Sequence, residues 1–395
     1  MFPLPRLAFV LALVALIFCA SPRAQALTKT WDAEGATGDA TIGNNWNTNG
    51  GPTAADDVIF DNSGQSPLED IFLNGAAPVN GATINLTAAS NQNWNLGADD
   101  SSNLPFTLTL TTGNLSVLST SGTGTYILGA TSSALIGTGI LTLATSGTGF
   151  TFDNSRINGG ILQINAIVSG SNTVVTKKGA GEIKLSGVNT YTGATTISAG
   201  TLTLATSSGS ALGFTTGIIV NAGGTLRLGA NNQINNGATL SLGGGTFAKG
   251  NFNEGTAGSG GTSTLGLGAL TLTATGSTID FGTGTVGALN FAGLNPATFT
   301  LTINNWTGTA NTVGNAGTDR LVFDSDQTSN LSSFNFTGFA PGAVQFALGG
   351  GFFEVDPVPE PSTWCAAALA AAVIGFQLRH RMWTASRKFI LRLTS

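Results

Sequence analysis

Any chemistry in the central part of this chain would have to be done by carboxylates and a few lysines. The one histidine, His380, lies near the far end, so residues 27–360 contain none. That removes Ser-His-Asp catalysis, histidine general bases and His-ligated zinc or iron from this stretch. Three acidic clusters are taken as candidates: Asp56-Asp57, Asp99-Asp100 and Asp324-Ser325-Asp326. Alternate side chains of an extended segment share a face, which makes Asp324 and Asp326 the candidate calcium ligands. No other cofactor is expected. A glycosidase would need two carboxylates about 5–9 Å apart across a sugar, and a lyase a basic side chain beside acids. Bases cluster only at Lys177, Lys178 and Lys184, and the tryptophans available for sugar stacking are Trp31, Trp46, Trp94 and Trp306. The Gly-x-Gly strings at 122–124 and 282–284 have no helix after them, so no nucleotide fingerprint is present. The expectation is a non-enzyme; the alternative is a polysaccharide lyase or glycoside hydrolase.

What must hold such residues in place is a weakly charged, glycine-rich body. Charged residues make up 9% of the chain and glycine 56 of its 395 residues, against about 25% and roughly 7% in soluble proteins. With 41% hydrophobic residues a disordered chain is excluded. Residues 27–360 hold eight bases against all twenty acids, a net charge of −12. Nucleic acid, which requires a basic face, is thereby excluded as a partner. Cys19 and Cys365 flank this body, which has no thiol of its own, so its stability must come from backbone pairing and apolar stacking.

Both ends carry address-like segments. Arg6, an apolar run over 7–20 and Ala24-Gln25-Ala26 have the form of a secretory signal cleaved after Ala26. At the other end Pro357, Pro359 and Pro361 lack donor N–H groups and should break regular structure. Residues 364–378 then form an apolar run followed by Arg379-His380-Arg381, which the positive-inside rule keeps cytoplasmic. A helix of this length reaches only about 22 Å against a roughly 30 Å hydrocarbon core. It suits temporary tethering. Pro359-Glu360-Pro361, the short apolar helix and the basic cluster together resemble the PEP-CTERM sorting signal of Gram-negative, exopolysaccharide-producing bacteria. The resemblance implies an exosortase-type processing enzyme as a partner, and an inner-membrane tether followed by the cell surface or extracellular matrix. Such signals usually stop after the basic cluster, whereas this chain continues through a tail at 382–395.

Between the ends the sequence repeats. Aliphatic pairs recur at Leu141/Leu143, Leu162/Ile164, Ile183/Leu185, Leu202/Leu204, Leu226/Leu228, Leu240/Leu242 and Leu270/Leu272. Successive pairs are spaced by about 21 residues on average, a period of the solenoid class. The last two steps, one short and one long, read together as one coil that slid against its neighbour. Each pair is an apolar-polar-apolar strand with both aliphatics on one face, and glycines before the strands permit tight corners. The fold expected is all-β: a right-handed parallel β-solenoid of about 21 residues per coil, with a C-terminal single transmembrane helix. A stacked array of immunoglobulin-like sandwiches is the alternative. The period is weak over 65–135.

Residues 174–205 include Lys178-Gly179-Ala180-Gly181, Leu185-Ser186-Gly187, Asn189-Thr190-Tyr191-Thr192-Gly193 and Ala199-Gly200-Thr201-Leu202. This stretch resembles the autotransporter-associated β-strand repeat of bacterial surface proteins, which implies a surface β-helix and no particular chemistry. The organisation expected is a signal peptide at 1–26, an N-terminal cap at 27–64, solenoid repeats at 65–276, a C-terminal β region or cap at 277–356, the sorting signal at 357–381 and the tail. The function expected is a structural or adhesive surface or matrix protein in contact with extracellular polysaccharide. Purified residues 27–356 should give a β-type far-ultraviolet circular dichroism spectrum with almost no helical signal; substantial helicity would remove the solenoid.

Overall fold

A computed structural model describes residues 28–31, 50–61, 71–73, 77–85, 94–98, 106–117, 124–129, 140–257, 263–315 and 317–360, with helical positions at 369, 371–374 and 376–379. The chain forms two compact units, residues 1–193 and 194–395, each built of long parallel sheets in the pattern of a β-helix.

In the second unit one sheet runs through Thr195–Ile197, Gly217–Asn221, Thr239–Gly243, Leu270–Ala274 and Leu294–Asn295. Another runs through Gly200–Leu204, Gly224–Leu228, Thr246–Ala248, Thr278–Asp280, Leu301–Asn304 and Phe334–Phe336. A third side carries the parallel pair Ala288–Phe291 and Arg320–Phe323, preceded by isolated parallel bridges such as Leu212 to Ile234 and Glu254 to Leu289. Parallel pairing repeats each side chain above its counterpart in the next coil. Leu202, Leu226, Phe247, Ile279, Ile303 and Phe336 therefore form one buried stack. Ile218, Leu240 and Leu270 form another on the first sheet. On the outer face of the second sheet Thr201, Thr225, Thr246, Thr278 and Thr302 make an in-register row. Their β-branched side chains fit a pleated, half-exposed surface.

This register corrects the expected period. The short step between Leu226 and Leu240 is no slipped coil, because Leu240/Leu242 belongs to the first sheet, on Ile218/Val220, while Leu226/Leu228 belongs to the second. Residue periodicity alone cannot say which side of a coil a strand lies on. True coil lengths vary. The step from Leu226 to Phe247 is shorter than that from Leu202 to Leu226, and the step from Phe247 to Ile279 is half as long again.

In the first unit the parallel ladders extend through the stretch where the repeat was hard to see. Asp57–Asp61, Ala77–Asn85, Phe106–Val117, Gly149–Asn154 and Val174–Lys178 lie side by side, as do Ile71–Leu73, Trp94–Ala98, Thr125–Leu128, Ile161–Ile164 and Glu182–Leu185. Coils here lengthen. The steps from Trp94 to Tyr126 and from Tyr126 to Leu162 both far exceed the one from Leu162 to Ile183, which blurs the pattern. Leu141–Ala144 stacks on Phe106–Thr109 within the first of these ladders, while Leu162/Ile164 lies in the other. The immunoglobulin-like alternative needs antiparallel sandwiches and is excluded by these parallel registers.

The ladders continue past residue 277 and end differently from how they began. Phe352–Val358 pairs antiparallel with both Arg320–Phe323 and Ala340–Gly349. Stacked and edge-on rings fill this end: Phe291 on Phe323 at 5.8 Å, Phe323 on Phe334 at 5.8 Å, and Trp306 edge-on to Phe336 at 5.8 Å and Phe339 at 5.6 Å. Pro357, expected to break structure, lies inside the strand. Its partner is Ala343, beside a register shift between Ala340 and Ala343, where an absent donor costs least. Pro357 O accepts from Asn311 N at 3.1 Å. The C-terminal transmembrane helix expected from the sequence is not shown: the helical positions near residue 374 are exposed, and no helix among the described residues is long and apolar enough to cross a membrane.

Leu226 is fully buried between Leu202 and Phe247. Leu226→Ala should lower unfolding free energy by about 2–5 kcal/mol, read from urea denaturation, whereas Thr225→Ala on the outer face of the same strand should change it little.

Candidate functional site

The scarce charges turn inward. Of the eight bases in residues 27–360, Lys29, Arg156, Lys177, Lys249 and Arg320 are buried, and so are Asp56, Glu254, Asp319, Glu354 and Asp356. Each is enclosed with hydrogen-bonding partners, as a buried charge must be.

In the second unit the densest set lies on the third side. Arg320 grips Glu354 through two bonds, Nε to Oε1 at 3.0 Å and Nη2 to Oε2 at 2.8 Å, and its Nη1 donates to Ala257 O at 3.0 Å. Gly314 N adds a donor to Glu354 Oε2 at 3.2 Å. Asp356, two residues along the same strand, accepts from Thr312 N at 3.1 Å, but its Oδ1 is buried with no hydrogen-bond partner among the described residues. Burial, and then the like charge of Glu354, push the Asp356 carboxyl up to about 7. Glu254 lies in the next coil and turns its side chain onto backbone amides of the one before. Its Oε2 and Oε1 accept from Gln233 N at 2.9 Å and Ile234 N at 3.2 Å. Burial outweighs these two donors and raises its carboxyl to about 8. Asp319 and Arg320, adjacent in sequence, take different partners: Lys249 Nζ lies 3.6 Å from Asp319 Oδ1, while Arg320 holds Glu354.

In the first unit Lys177 is fully buried and donates to Lys178 O and Gly179 O, each at 2.7 Å. Desolvation lowers its ammonium to about 8, with the Asp153 charge opposing. An inward lysine tied to its own corner is badly placed to serve as a base for an external sugar. Arg156 donates to Gly124 O at 2.6 Å and lies 4.1 Å above the Tyr126 ring. Other motif residues have coil-building roles. Gly179 turns its corner at φ +73°, Asn189 Oδ1 accepts from Val168 N at 2.9 Å, Tyr191 is buried, and a Cβ on Gly193 would fall 2.3 Å from Thr173 O.

The candidate calcium pair is not held on one extended face. The strand ends at Phe323, and Asp324 and Ser325 form a bend, so the alternation argument fails there. Asp326 Oδ1 is engaged by Thr328 N at 2.7 Å, Thr328 Oγ1 at 2.6 Å and Gln345 Nε2 at 2.7 Å, bonds that lower its carboxyl below the usual range. No group of three or more metal-ligating side chains occurs among the described residues. Asp56 closes a turn, accepting from Thr53 N at 2.9 Å and Thr53 Oγ1 at 2.8 Å. Trp306 is buried against phenylalanines, which takes it out of a sugar-stacking surface. Pro359 and Glu360 follow the last strand, and Arg379 is exposed. Ala24, Ala26, Asp99, Asp100, Pro361, His380 and Arg381 lie outside the described residues. Sequence reasoning missed Glu254, Asp319, Arg320, Glu354 and Asp356 as a set; their signal was scarcity, since a chain with few charges spends them where an interior needs them.

Long parallel ladders with buried ion pairs and an outward row of threonines define an all-β protein in the pattern of a β-helix. Within it, residues 175–204 match the family model of the passenger-associated-transport-repeat. Comparison with curated proteins and with solved structures returned no match.

Both raised carboxyls bind a proton more strongly in the fold than in the unfolded chain, whose values are near 3.8 and 4.5. Their contribution to stability is complete below those values and is lost as pH rises through about 7 for Asp356 and about 8 for Glu254. The melting temperature should therefore fall from pH 5 to pH 8.5, on the order of the window these values span, and Asp356→Asn should flatten that fall in thermal scans.

Proposed function

We propose that this chain is an exported structural or adhesive protein of the bacterial cell surface or extracellular matrix, a right-handed β-solenoid of passenger type. The observation that carries this reading is the repeat at 175–204, in which Lys177 ties its own corner while Gly179, Asn189 and Gly193 lie against the preceding coil. The wall left outside is rich in hydroxyls and amides, with the in-register threonine row as its most regular part. Such a wall suits many weak contacts with a polysaccharide, which together give avidity. Pro359-Glu360-Pro361 serves as the recognition element of an exosortase-type enzyme, and the apolar stretch after it tethers the chain to the inner membrane until processing. Calcium, through Asp324 and Asp326, remains part of the proposal only with ligands supplied from elsewhere, since Asp326 already satisfies Thr328 and Gln345.

Protein recovered from the host envelope and medium should start at Leu27 and end between Pro359 and Pro361 by intact mass and C-terminal peptide. A species ending at Ser395 would mean an unprocessed anchor. The recovered protein should also sediment with host exopolysaccharide without shortening it; release of reducing or unsaturated sugars would replace the structural reading with an enzymatic one.

A further inference from the structure

Among the buried charges, Lys249 and Asp319 are arranged for more than an ion pair. Both side chains are enclosed, at 0% and 2% exposure, with Nζ 3.6 Å from Oδ1. Lys249 Nζ donates to Gly250 O at 3.1 Å and Thr285 O at 2.7 Å. Those two carbonyls occupy two of the positions around Nζ, and Asp319 Oδ1 lies within 3.6 Å of the same nitrogen. The carboxyl is held as firmly: Gly287 N donates to Oδ1 at 2.9 Å and Thr307 N to Oδ2 at 3.1 Å.

We propose that Lys249 and Asp319 form an intramolecular isopeptide bond, a covalent cross-link between the corner after Thr246–Ala248 and the start of Arg320–Phe323. The pair shares one proton between amine and carboxyl. With that proton on the carboxyl, Nζ attacks Cγ and a C–N bond forms. The bond from Cγ to the protonated oxygen then breaks, and the leaving hydroxyl takes a proton from the nitrogen and departs as water. The product is a secondary amide, so the atoms balance and no oxidant, reductant or cofactor enters. Negative charge gathering on the retained oxygen is met by a backbone N–H already in place. The fold fixes the approach, which replaces the entropy of bringing two groups together. Burial also favours the uncharged forms, lowering the Lys249 ammonium and raising the Asp319 carboxyl, while their mutual attraction opposes both shifts.

The test is a peptide map of the full-length folded chain after denaturation. Lys249 is the only basic residue between Arg227 and Arg320, and trypsin does not cut at an acylated lysine. The cross-linked chain yields one peptide from Leu228 to Arg320, lighter than its sequence by one water molecule, with fragment ions joining Lys249 to Asp319. Denatured wild-type protein also migrates faster in gels than Lys249→Arg, which returns to the sequence mass. Separate peptides at 228–249 and 250–320, at full sequence mass from wild-type protein, overturn the proposal. That readout needs only the wild-type chain, so a variant that fails to fold leaves it intact.

Discussion

Everything in this structure depends on parallel register between successive coils. A parallel ladder puts each residue above its counterpart roughly 4.8 Å away, so one side chain decides the environment of the next. Ile279 is buried because Phe247 and Ile303 are its neighbours in the ladder. Thr278, one position earlier, faces outward because Thr246 and Thr302 do. Such a stack needs no large globular core. It does need its exceptions handled individually, since one unmatched group is felt by the coils on both sides.

The buried charges are those exceptions. Where backbone pairing between coils lapses, a buried carboxyl such as that of Glu254 accepts from the amides of Gln233 and Ile234. Where coils give way to the antiparallel hairpin, Arg320 and Glu354 fasten strand to strand. A buried pair of this kind adds little to stability over a well-packed apolar substitute, but removing one partner is costly because the other is left charged in a dry interior. The ions therefore act chiefly as register pins, allowing one arrangement of strands and penalising slipped ones.

This division explains what could be read from the sequence. Strand existence and the inward aliphatics were legible at Leu162, Ile183, Leu202 and Leu226 because alternation is a local property. Assignment of Leu240 to a different sheet from Leu226 was not, since both pairs have the same local pattern and only the corner between them differs. Phe247, Ile279 and Ile303 escaped the repeat because an aromatic replaced an aliphatic and because the long coil from Phe247 to Ile279 breaks a fixed spacing. Of the candidate site, Asp324 and Asp326 were read as extended when a bend separates the strand from the helical turn that follows. The inward ends of Lys177 and Lys249 were invisible, because a lysine in a corner reads as solvated unless the next coil is known.

Unequal coil length has a consequence for how such a chain changes over time. The path from Phe247 to Ile279 is half as long again as the path from Leu226 to Phe247, yet both pairs meet in the same ladder. The surplus is absorbed at corners and on the third side, where pairing reduces to isolated bridges. Added or removed residues can therefore be taken up there without moving the strands out of register. The molecule separates a fixed frame of strands from a fringe whose length is free to differ, and altered contact surfaces can be built in the fringe without refounding the frame.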